Sequence, residues 1–468
     1  MLEESLLLER IKKKITNYQT ARDSILEAKR YYRNENKILD KGIVPKQGEG
    51  KNPLRNADNR IPHNLHQVLV DEKISYLFTY PPIIQIEDNE ELTDKVTNIL
   101  GEEFNRKLKN IGIEASNCGT SWVHYWIKEN KETGEKQFKY ALVNTEEIIP
   151  IYDNGLEREL KNIIRYYTIK EEVEGQIEEE TFTYVEYWTD KEFIRWKMKG
   201  SYTNQPIEIL GPITHKLEAV PFIELANNKE KQSDLNKIKR LLDLKDVVVS
   251  GFANDIEDIQ EIIYILENYG GTDLSEFLND LKRYKTVKTE SMDGNSGGLS
   301  TLSIDIPVEA RNVLIEYLKK EIYEAGQGLQ QDVESMSNAS GVVLKFFYRK
   351  LELKAGLMET ECRIFISELV KAIIKFLGIN EEYKITQTYT RNMISNDLEN
   401  AQIAQMCTGI ISKKTILENH PWVDDLQLEL DRLDEEKQQE ESIFEQPYEM
   451  QQKEPAEVGE EDETDENM

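Results

Sequence analysis

The sequence predicts an α+β protein, and three observations support that class. Apolar residues follow helical spacing at both ends of the chain, whereas residues 118–227 switch to a period of two. The third observation is the absence of proline from Gly341 to Leu377, which permits a helix of about 55 Å at 1.5 Å per residue. With 468 residues the chain is too long for one compact core, so we expect roughly two to four domains.

The N-terminal part of the chain is predicted to be mainly helical. Residues 1–40 carry leucines and isoleucines at helical spacings, and a second helix over residues 65–78 stops before two prolines. Between these helices, residues 41–64 are rich in Gly, Pro and Asn and are expected to form an extended arm. A third amphipathic helix is expected over residues 92–110.

Residues 118–227 are predicted to form an antiparallel β domain. They contain six segments rich in β-branched and aromatic residues, and Asn-Gly or Gly pairs lie at the turns. The segments are TSWVHYWIKE, KQFKYALV, IIRYYTIK, TFTYVEYWT, EFIRWKMKG and IEILGPI.

Two helices that flank a compact insert follow the β region. The helix over residues 233–259 has an apolar seam of 3–4–3–4 spacing from Leu235 onward, broken once at Lys245. Pro307 opens the second helix, because proline fits the first helical position. The intervening residues 260–306 have the pattern of a small α/β insert with the glycine-rich stretch SMDGNSGG. A helical hairpin with such an insert at its end is expected to project from the rest of the chain.

The stretch SMSNASGVVLKFFYRKLELKAG, residues 335–356, joins a polar segment to the longest predicted helix. It is not a phosphate-binding loop, because that loop ends in Gly-Lys-Ser/Thr, whereas this glycine is followed by two valines and a leucine. Ser337, Asn338 or Ser340 is expected to cap the helix, since each side chain can accept a bond from a free N–H group. The helix is predicted over residues 341–378 and must bury its apolar stripe against several neighbours.

The C-terminal part is predicted to be helical and then disordered. After Gly378, a strand in EYKITQTYT and several short helices are expected over residues 379–440, with Ser412 and Asp424 as N-caps. Residues 441–468 carry eleven acidic residues against one lysine and have too few apolar residues to pack. They are therefore expected to be disordered.

Composition restricts the classes of function. A net charge of −29 repels a nucleic acid backbone, which excludes a protein that wraps DNA tightly but allows a surface past which DNA slides. The three cysteines lie far apart, so neither a disulfide framework nor a zinc ribbon is expected. The start of the chain lacks the pattern of a signal peptide, and no run approaches the ~20 apolar residues of a membrane span. We therefore expect a soluble protein made in a reducing cytosol.

No motif predicts an enzyme, a cofactor site or a metal site. His63-x-x-His66 is the only close histidine pair, and it lacks an acidic companion, so both are expected to be loop histidines. Gly-x-Ser-x-Gly is absent, and GQGLQQ lacks the third glycine of a dinucleotide fingerprint. Basic residues on one side of the long helix are interpreted as salt-bridge partners in so acidic a chain. They are Lys345, Arg349, Lys350 and Lys354, and the same interpretation applies to Lys282, Arg283, Lys285 and Lys288 of the insert.

Four segments resemble the portal proteins of tailed double-stranded DNA bacteriophages, in the siphophage-type portal family. One is KISYLF before Pro81-Pro82, and another is AVPFIELANNKEKQSDLNKIKRLLDLKD at residues 219–246. The others are SNASGVVLKFFYRKLELKAGLMETE at residues 337–361 and TRNMISNDLENAQI with GIISKKTILENHPWVDD at residues 390–425. The β domain between them matches that family by type and position.

This resemblance implies the architecture of a portal-type ring subunit. It has a β-rich wing, a two-helix stem, a small α/β clip, a long central helix and a helical crown. The implied ranges are 1–232 for the wing, 233–259 and 307–325 for the stem helices, 260–306 for the clip, 326–340 for the tunnel loop, 341–378 for the long wing helix, 379–440 for the crown and 441–468 for a disordered acidic tail.

The resemblance also implies a function. The family forms a ring of about twelve subunits at one capsid vertex, a virion component assembled in the bacterial host cytoplasm. The ring is the channel through which DNA is packaged and ejected without sequence specificity. Its implied partners are the terminase large subunit, a head–tail adaptor, and the major capsid and scaffolding proteins. It is not an enzyme, has no cofactor and binds no membrane.

Residues of the tunnel loop and the clip are the implied sites. The loop glycines would permit a mobile, exposed backbone, its uncharged polar side chains would touch DNA without holding it, and its acids would repel phosphate. The expected channel residues are Gly326, Gln327, Gly328, Gln330, Gln331, Asp332, Glu334, Ser335 and Asn338. The expected partner-docking residues of the clip are Lys282, Arg283, Lys285 and Lys288.

Two alternatives stay open at this point. One is an acidic scaffold or minor capsid protein without a DNA channel, in which residues 326–340 are only a linker. The other is an enzyme such as a nuclease with dispersed carboxylates, which would cleave DNA with a metal. A ring with a central hole would distinguish the portal interpretation from both.

Overall fold

The computed structural model describes most of the chain. The described residues are 2–40, 57–87, 89–131, 134–173, 178–259, 263–267, 298–302, 307–329, 341–391, 397–418, 420, 422–423 and 426–444. The chain divides into two compact units. The first contains Met1–Met336 and Lys345–Met393, and the second contains Ser337–Leu344 and Ile394–Met468.

The α-helices of the first unit lie before and after the β region of residues 120–226 in the chain. They are α1 (Leu2–Tyr32), α2 (Leu65–Leu77), α3 (Glu90–Leu100), α4 (Phe104–Cys118), α5 (Leu235–Ile259), α6 (Val308–Gly326) and α7 (Gly341–Phe376, which belongs to this unit from Lys345 onward), with short 3-10 helices at Lys37–Asp40 and Thr145–Glu147. The helices predicted at the N-terminus, over 65–78, on both sides of the insert and after residue 340 are confirmed. None of the described helices is long and apolar enough to span a membrane.

The described strands pair antiparallel. They are β1 (Ile83–Ile86), β2 (Thr120–Glu129), β3 (Lys136–Val143), β4 (Ile148–Tyr152), β5 (Leu160–Glu171), β6 (Glu180–Trp188), β7 (Glu192–Lys199), β8 (Pro206–Thr214), β9 (Phe222–Ala226), β10 (Ile263–Glu267), β11 (Gly298–Leu302) and β12 (Ile385–Thr388). The predicted β region forms two sheets, of order β3-β2-β9 and β4-β5-β6-β7-β8. Strands β10 and β11 pair within the predicted insert, whose helix near residues 273–284 lies outside the described residues.

The single helix predicted over residues 92–110 is wrong. Helices α3 and α4 are separated at Gly101, whose φ of +80° is a conformation that glycine adopts without side-chain strain. Asn89 caps α3, because its Oδ1 accepts a hydrogen bond from the Leu92 backbone N–H at 2.9 Å. Strand β1 precedes this cap and pairs with β12, and no local sequence pattern identifies so distant a partner.

The largest hydrophobic core forms along α7. Its fully buried side chains recur every three or four residues, the spacing of one helix face. They include Leu351, Ala355, Met358, Cys362, Phe365, Leu369 and Ile373. They belong to one cluster with apolar residues of α2, α3, α4, β2 and β3, so the long helix has the several neighbours that its stripe requires.

The first half of strand β2 separates two cores, because residues 121–125 are buried or half-buried on both faces, whereas residues 126–129 are exposed. Val123 and Tyr125 belong to the α7 core, whereas Trp122 packs in a second cluster with Ile148 and Ile163 of the five-stranded sheet. Helix α1 covers another part of that sheet through a third cluster. The apolar residues on both sides of β2 therefore reflect a strand buried on two faces.

The α5 seam is only partly covered in one chain. Leu235, Ile238 and Leu242 are at most 2% exposed, and they cluster with residues of α1, α2 and α6. Beyond Lys245 the seam opens to solvent, and Ile256 is 46% exposed. The predicted seam is therefore confirmed as a buried stripe in its first half alone.

The second unit contains short helices, as predicted. They are α8 (Asp397–Met406), α9 (Lys413–Glu418) and α10 (Leu426–Phe444). The predicted N-cap at Ser412 is confirmed, because its Oγ accepts from the Thr415 backbone N–H at 3.2 Å. Helix α10 extends to Phe444, so the prediction of disorder is wrong for residues 441–444. Asp424 and residues 445–468 lie outside the described residues.

Two histidines of the first unit are held neutral by burial. His66 lies on α2 and not in a loop, and burial lowers its pKa to about 4. Its Nε2–H donates to Asn117 Oδ1 at 2.9 Å. Burial also lowers the pKa of His124 to about 4, although its Nδ1 lies 2.8 Å from the Pro221 carbonyl oxygen, which favours the charged form.

We predict that stability falls as the pH falls from about 6.5 to about 4. Below pH 6.5 the unfolded chain takes up protons on these histidines, whereas the folded chain does not, so protonation favours unfolding. For His66 alone the loss between pH 7.5 and pH 4.5 is about 2 to 3 kcal/mol. Guanidinium unfolding at both pH values should show this loss in the wild type and a smaller loss in His66→Gln. An equal loss in both proteins would contradict the assignment, and His420→Gln is the control.

Candidate functional site

A buried cluster of charged side chains joins three helical segments of the first unit. Lys73 lies on α2, Asp234 lies directly before α5, and Lys354 lies on α7. None of the three is more than 7% exposed. Asp234 Oδ2 accepts from Lys73 Nζ at 2.6 Å and lies 3.1 Å from Lys354 Nζ. One carboxylate therefore holds two cations away from solvent.

Polar groups from the neighbouring loop complete the cluster. Asn227 accepts from Lys73 Nζ at 2.7 Å and donates to Asp234 Oδ1 at 2.9 Å. The Asp234 backbone N–H donates to the Ser116 carbonyl at 3.0 Å, which ties the start of α5 to α4. These hydrogen bonds matter because a buried charge that loses its partner lowers the stability of the fold by roughly 3 to 5 kcal/mol.

The electrostatics of the cluster favour the ionised carboxylate. Burial alone would raise the pKa of Asp234, but Lys73 and Lys354 outweigh that effect and hold the pKa well below its usual range. Burial lowers the pKa of Lys73 to about 8, against the opposing attraction of Asp234. Lys73 is therefore still largely protonated at neutral pH, and the paired charges persist.

Lys354 connects the cluster to the start of the predicted tunnel loop. Its Nζ donates to the carbonyl oxygen of Gly326, the last residue of α6, at 2.9 Å. A cation at the C-terminus of a helix satisfies a free carbonyl and interacts favourably with the helix dipole. Gln327 follows in a left-handed conformation with φ of +56°, and the Gly328 N–H donates to the Tyr323 carbonyl at 3.0 Å.

The two loop glycines pack closely against α2, and Gly326 is buried, so the predicted exposed backbone is wrong at that residue. A Cβ on Gly326 would lie 2.6 Å from Leu69 Cδ1, and a Cβ on Gly328 would lie 2.1 Å from Leu69 Cδ2. The Leu329 N–H donates to both carboxylate oxygens of Glu72, at 3.1 and 3.0 Å. The described start of the loop, residues 326–329, is therefore fixed to α2.

The other predicted site residues lie outside the described residues. These are the channel residues Gln330, Gln331, Asp332, Glu334, Ser335 and Asn338, the caps Ser337 and Ser340, and the clip residues Lys282, Arg283, Lys285 and Lys288. In the described part of the chain, no group of three or more His, Cys, Asp or Glu residues could hold a metal ion.

Two of the basic residues on the long helix are salt-bridge partners, as predicted. Lys350 pairs with Glu324 of α6 at the surface, and Lys354 pairs with Asp234 in the interior. Sequence reasoning did not identify the buried cluster, because 161 residues separate Lys73 from Asp234. One signal was present: Lys354 follows Leu351 on the apolar face of the helix, where a charge needs a buried partner.

The sequence profile described as phage portal protein, SPP1 Gp6-like, matches residues 11–442. The chain therefore belongs to the SPP1-like family of phage portal proteins, as its resemblance to siphophage-type portals predicted.

Two relatives of this chain are both named portal protein. The portal protein of Clostridium phage phiCD119 is 59% identical over 425 residues, which cover 90% of this chain and 94% of that protein. The portal protein of Bacillus phage SPP1 is 30% identical over 436 residues, which cover 89% of this chain and 84% of the relative. Both names agree with the family that the resemblance predicted.

We predict that Lys354→Met destabilises the first unit by about 3 to 5 kcal/mol, because Asp234 keeps only one of its two cations and the Gly326 carbonyl loses its donor. Hydrogen exchange of the peptide that contains the Gly328 and Leu329 N–H groups should also become faster. Guanidinium unfolding and exchange mass spectrometry measure the two effects.

Lys350→Met is the matched control, one turn earlier on the same helix. Its partner Glu324 is exposed, so the expected loss is about 0.2 to 1 kcal/mol. If both variants lost the same stability, the buried cluster would not be the anchor of the loop.

Proposed function

We propose that this chain assembles into a closed ring that forms the DNA channel of the phage capsid. The ring lies at one vertex, admits DNA during packaging and releases it during ejection. The exposed apolar residues of its helices carry the proposal. Val313 and Tyr317 on α6 are 65% and 56% exposed, and Leu357 on α7 is 59% exposed. Such side chains on neighbouring long helices favour burial against another copy.

The proposed ring uses the domain organisation that the resemblance implied. Helices α5 and α6 are the stem, the segment between them is the clip, and residues 326–340 are the tunnel loop. The anchored residues Gly326–Leu329 support this assignment, because a loop that touches moving DNA needs a fixed base. The clip residues Lys282, Arg283, Lys285 and Lys288 are the proposed docking positions for terminase and the head–tail adaptor. Capsid and scaffolding proteins are the proposed contacts outside the ring.

The chemistry of the loop suits a conduit that does not retain DNA. Gln330, Gln331 and Ser335 are polar without charge, and Asp332 repels phosphate. Each subunit contributes a formal charge of −29, so a ring of about twelve copies is strongly acidic. DNA that passes such a surface makes few of the cationic contacts that give nonspecific affinity.

The first prediction of this proposal concerns assembly. Light scattering of the purified protein at micromolar concentration should give the mass of a closed oligomer of about twelve chains, because a heterologous contact that closes makes a ring. A stable monomer would contradict the proposal. A monomer that cleaved DNA with added Mg²⁺ would favour a nuclease, and an open or irregular aggregate would favour a scaffold.

The second prediction concerns the channel. Replacement of Gln330 and Gln331 by Arg should leave ring formation unchanged, since exposed polar substitutions usually cost within about 0.5 kcal/mol. Packaging should stall, because each Arg near a phosphate releases counterions and makes DNA adhere, most strongly at low salt. The measurement is the length of packaged DNA per particle, with the Gln330→Asn, Gln331→Asn double variant as the control. Full heads in the arginine variant would exclude these residues from the DNA path.

A further inference from the structure

One face of α7 is apolar and uncovered in the single chain. Leu353, Leu357 and Ile364 are 58%, 59% and 54% exposed, and their spacing places them on one side of the helix. Glu361 and Glu368 lie on the same side at matching spacing. Neither carboxylate has an ion-pair partner among the residues that the structure describes. This acidic face therefore combines an apolar stripe with two carboxylates, and the exposed Lys371 lies on the same side one turn beyond Glu368.

The acidic face also forms a wall of a groove. A cavity of about 500 Å³ is lined by Glu361, Ile364 and Glu368 of α7 and by Glu157 and Glu159 of the turn between β4 and β5. The rest of the lining includes the cations Arg158 and Lys231, of which Lys231 pairs with Glu224 at 2.8 Å, and apolar side chains such as Val220 and Phe222. Burial raises the pKa of Glu368, Lys371 opposes that shift, and Glu224 adds to it.

A face of opposite charge lies on α5. Lys237, Arg240, Leu244 and Val247 follow helical spacing on one side of that helix, and all four are exposed. Leu244 and Val247 are 46% and 39% exposed. Arg240 has no ion-pair partner within the described part of the chain, and Lys237 reaches only Gln327 Oε1, at 3.5 Å. This basic face combines two cations with two apolar side chains.

We propose that the basic face of α5 in one copy packs against the acidic face of α7 in the next copy. Both faces belong to the first compact unit, and both are exposed in the single chain, so they do not cover each other within one molecule. Apolar residues meet apolar residues, and the cations meet the carboxylates of the groove. Two different, complementary patches on one chain make a heterologous contact, which closes into a ring or continues as a filament. The inference rests on the proposed ring and names the residues that hold it together.

A charge exchange tests the contact. Arg240→Glu and Glu361→Arg should each raise the protein concentration at half-maximal assembly by about tenfold or more, because like charges then face each other. The double variant should assemble within about threefold of the wild type, since the pair is restored in the reverse order. Mass photometry across a dilution series measures the assembled fraction. Circular dichroism melting checks that each variant folds. If a charge-reversal variant does not fold, the neutral substitution at the same position, Arg240→Gln or Glu361→Gln, is measured instead.

The controls separate this contact from other effects. Glu361→Arg makes the chain less acidic, so impaired assembly in that variant cannot arise from greater net repulsion. Lys139→Glu reverses an exposed charge on β3 and should assemble like the wild type. Three results would overturn the inference and leave the proposed ring intact. They are equal impairment by Lys139→Glu, normal assembly of both single variants, and no rescue in the double variant. A wild-type protein that formed no ring would overturn the proposed function itself.

Discussion

The structure depends on the pairing of Asp234 with Lys73 and Lys354. Asp234 lies directly before α5, and its two partners lie on α2 and α7, so a single carboxylate fixes the positions of three helices. Lys354 also holds the C-terminus of α6 through the Gly326 carbonyl. A buried ion pair adds little net stability compared with a well-packed apolar core, but breaking it is costly. The cluster therefore acts chiefly to fix how the helices meet.

This fixed junction explains how a loop can contact moving DNA and keep its place in the proposed channel. The loop leaves α6 through Gly326–Leu329, which pack on Leu69 and bond to Glu72, and it returns into α7, the helix that carries Lys354. The described base of the loop is thus joined to the core of buried residues along α7. The outer faces of α5 and α7 stay available for neighbouring copies. The same helices thus bury one side within the chain, and the proposed contact between copies uses the other.

Local periodicity predicted much of the fold, and the portal resemblance predicted the family. The α7 helix, the hairpin of α5 and α6, and the six segments of the β region all follow from apolar spacing, although the α5 seam is buried only in its first half and β2 on both faces. The break at Gly101 and the pairing of β1 with β12 did not follow, since one depends on a backbone angle and the other on a distant partner. The candidate site was harder to predict from the sequence than the fold was. The glycines at 326 and 328 are explained by contact with Leu69, and the partners of Lys354 lie at Asp234 and Gly326. Such contacts become visible only when the chain is folded.

An electron cryomicroscopy map of the assembled protein tests the central claim most directly. The account predicts a closed ring with an open lumen, residues 330–338 at its narrowest part, and the basic face of α5 against the α7 helix of the adjacent copy. The base of each loop should remain seated on α2 around the whole ring. An assembly without a lumen, or a ring with residues 330–338 on its outer surface, would contradict the account.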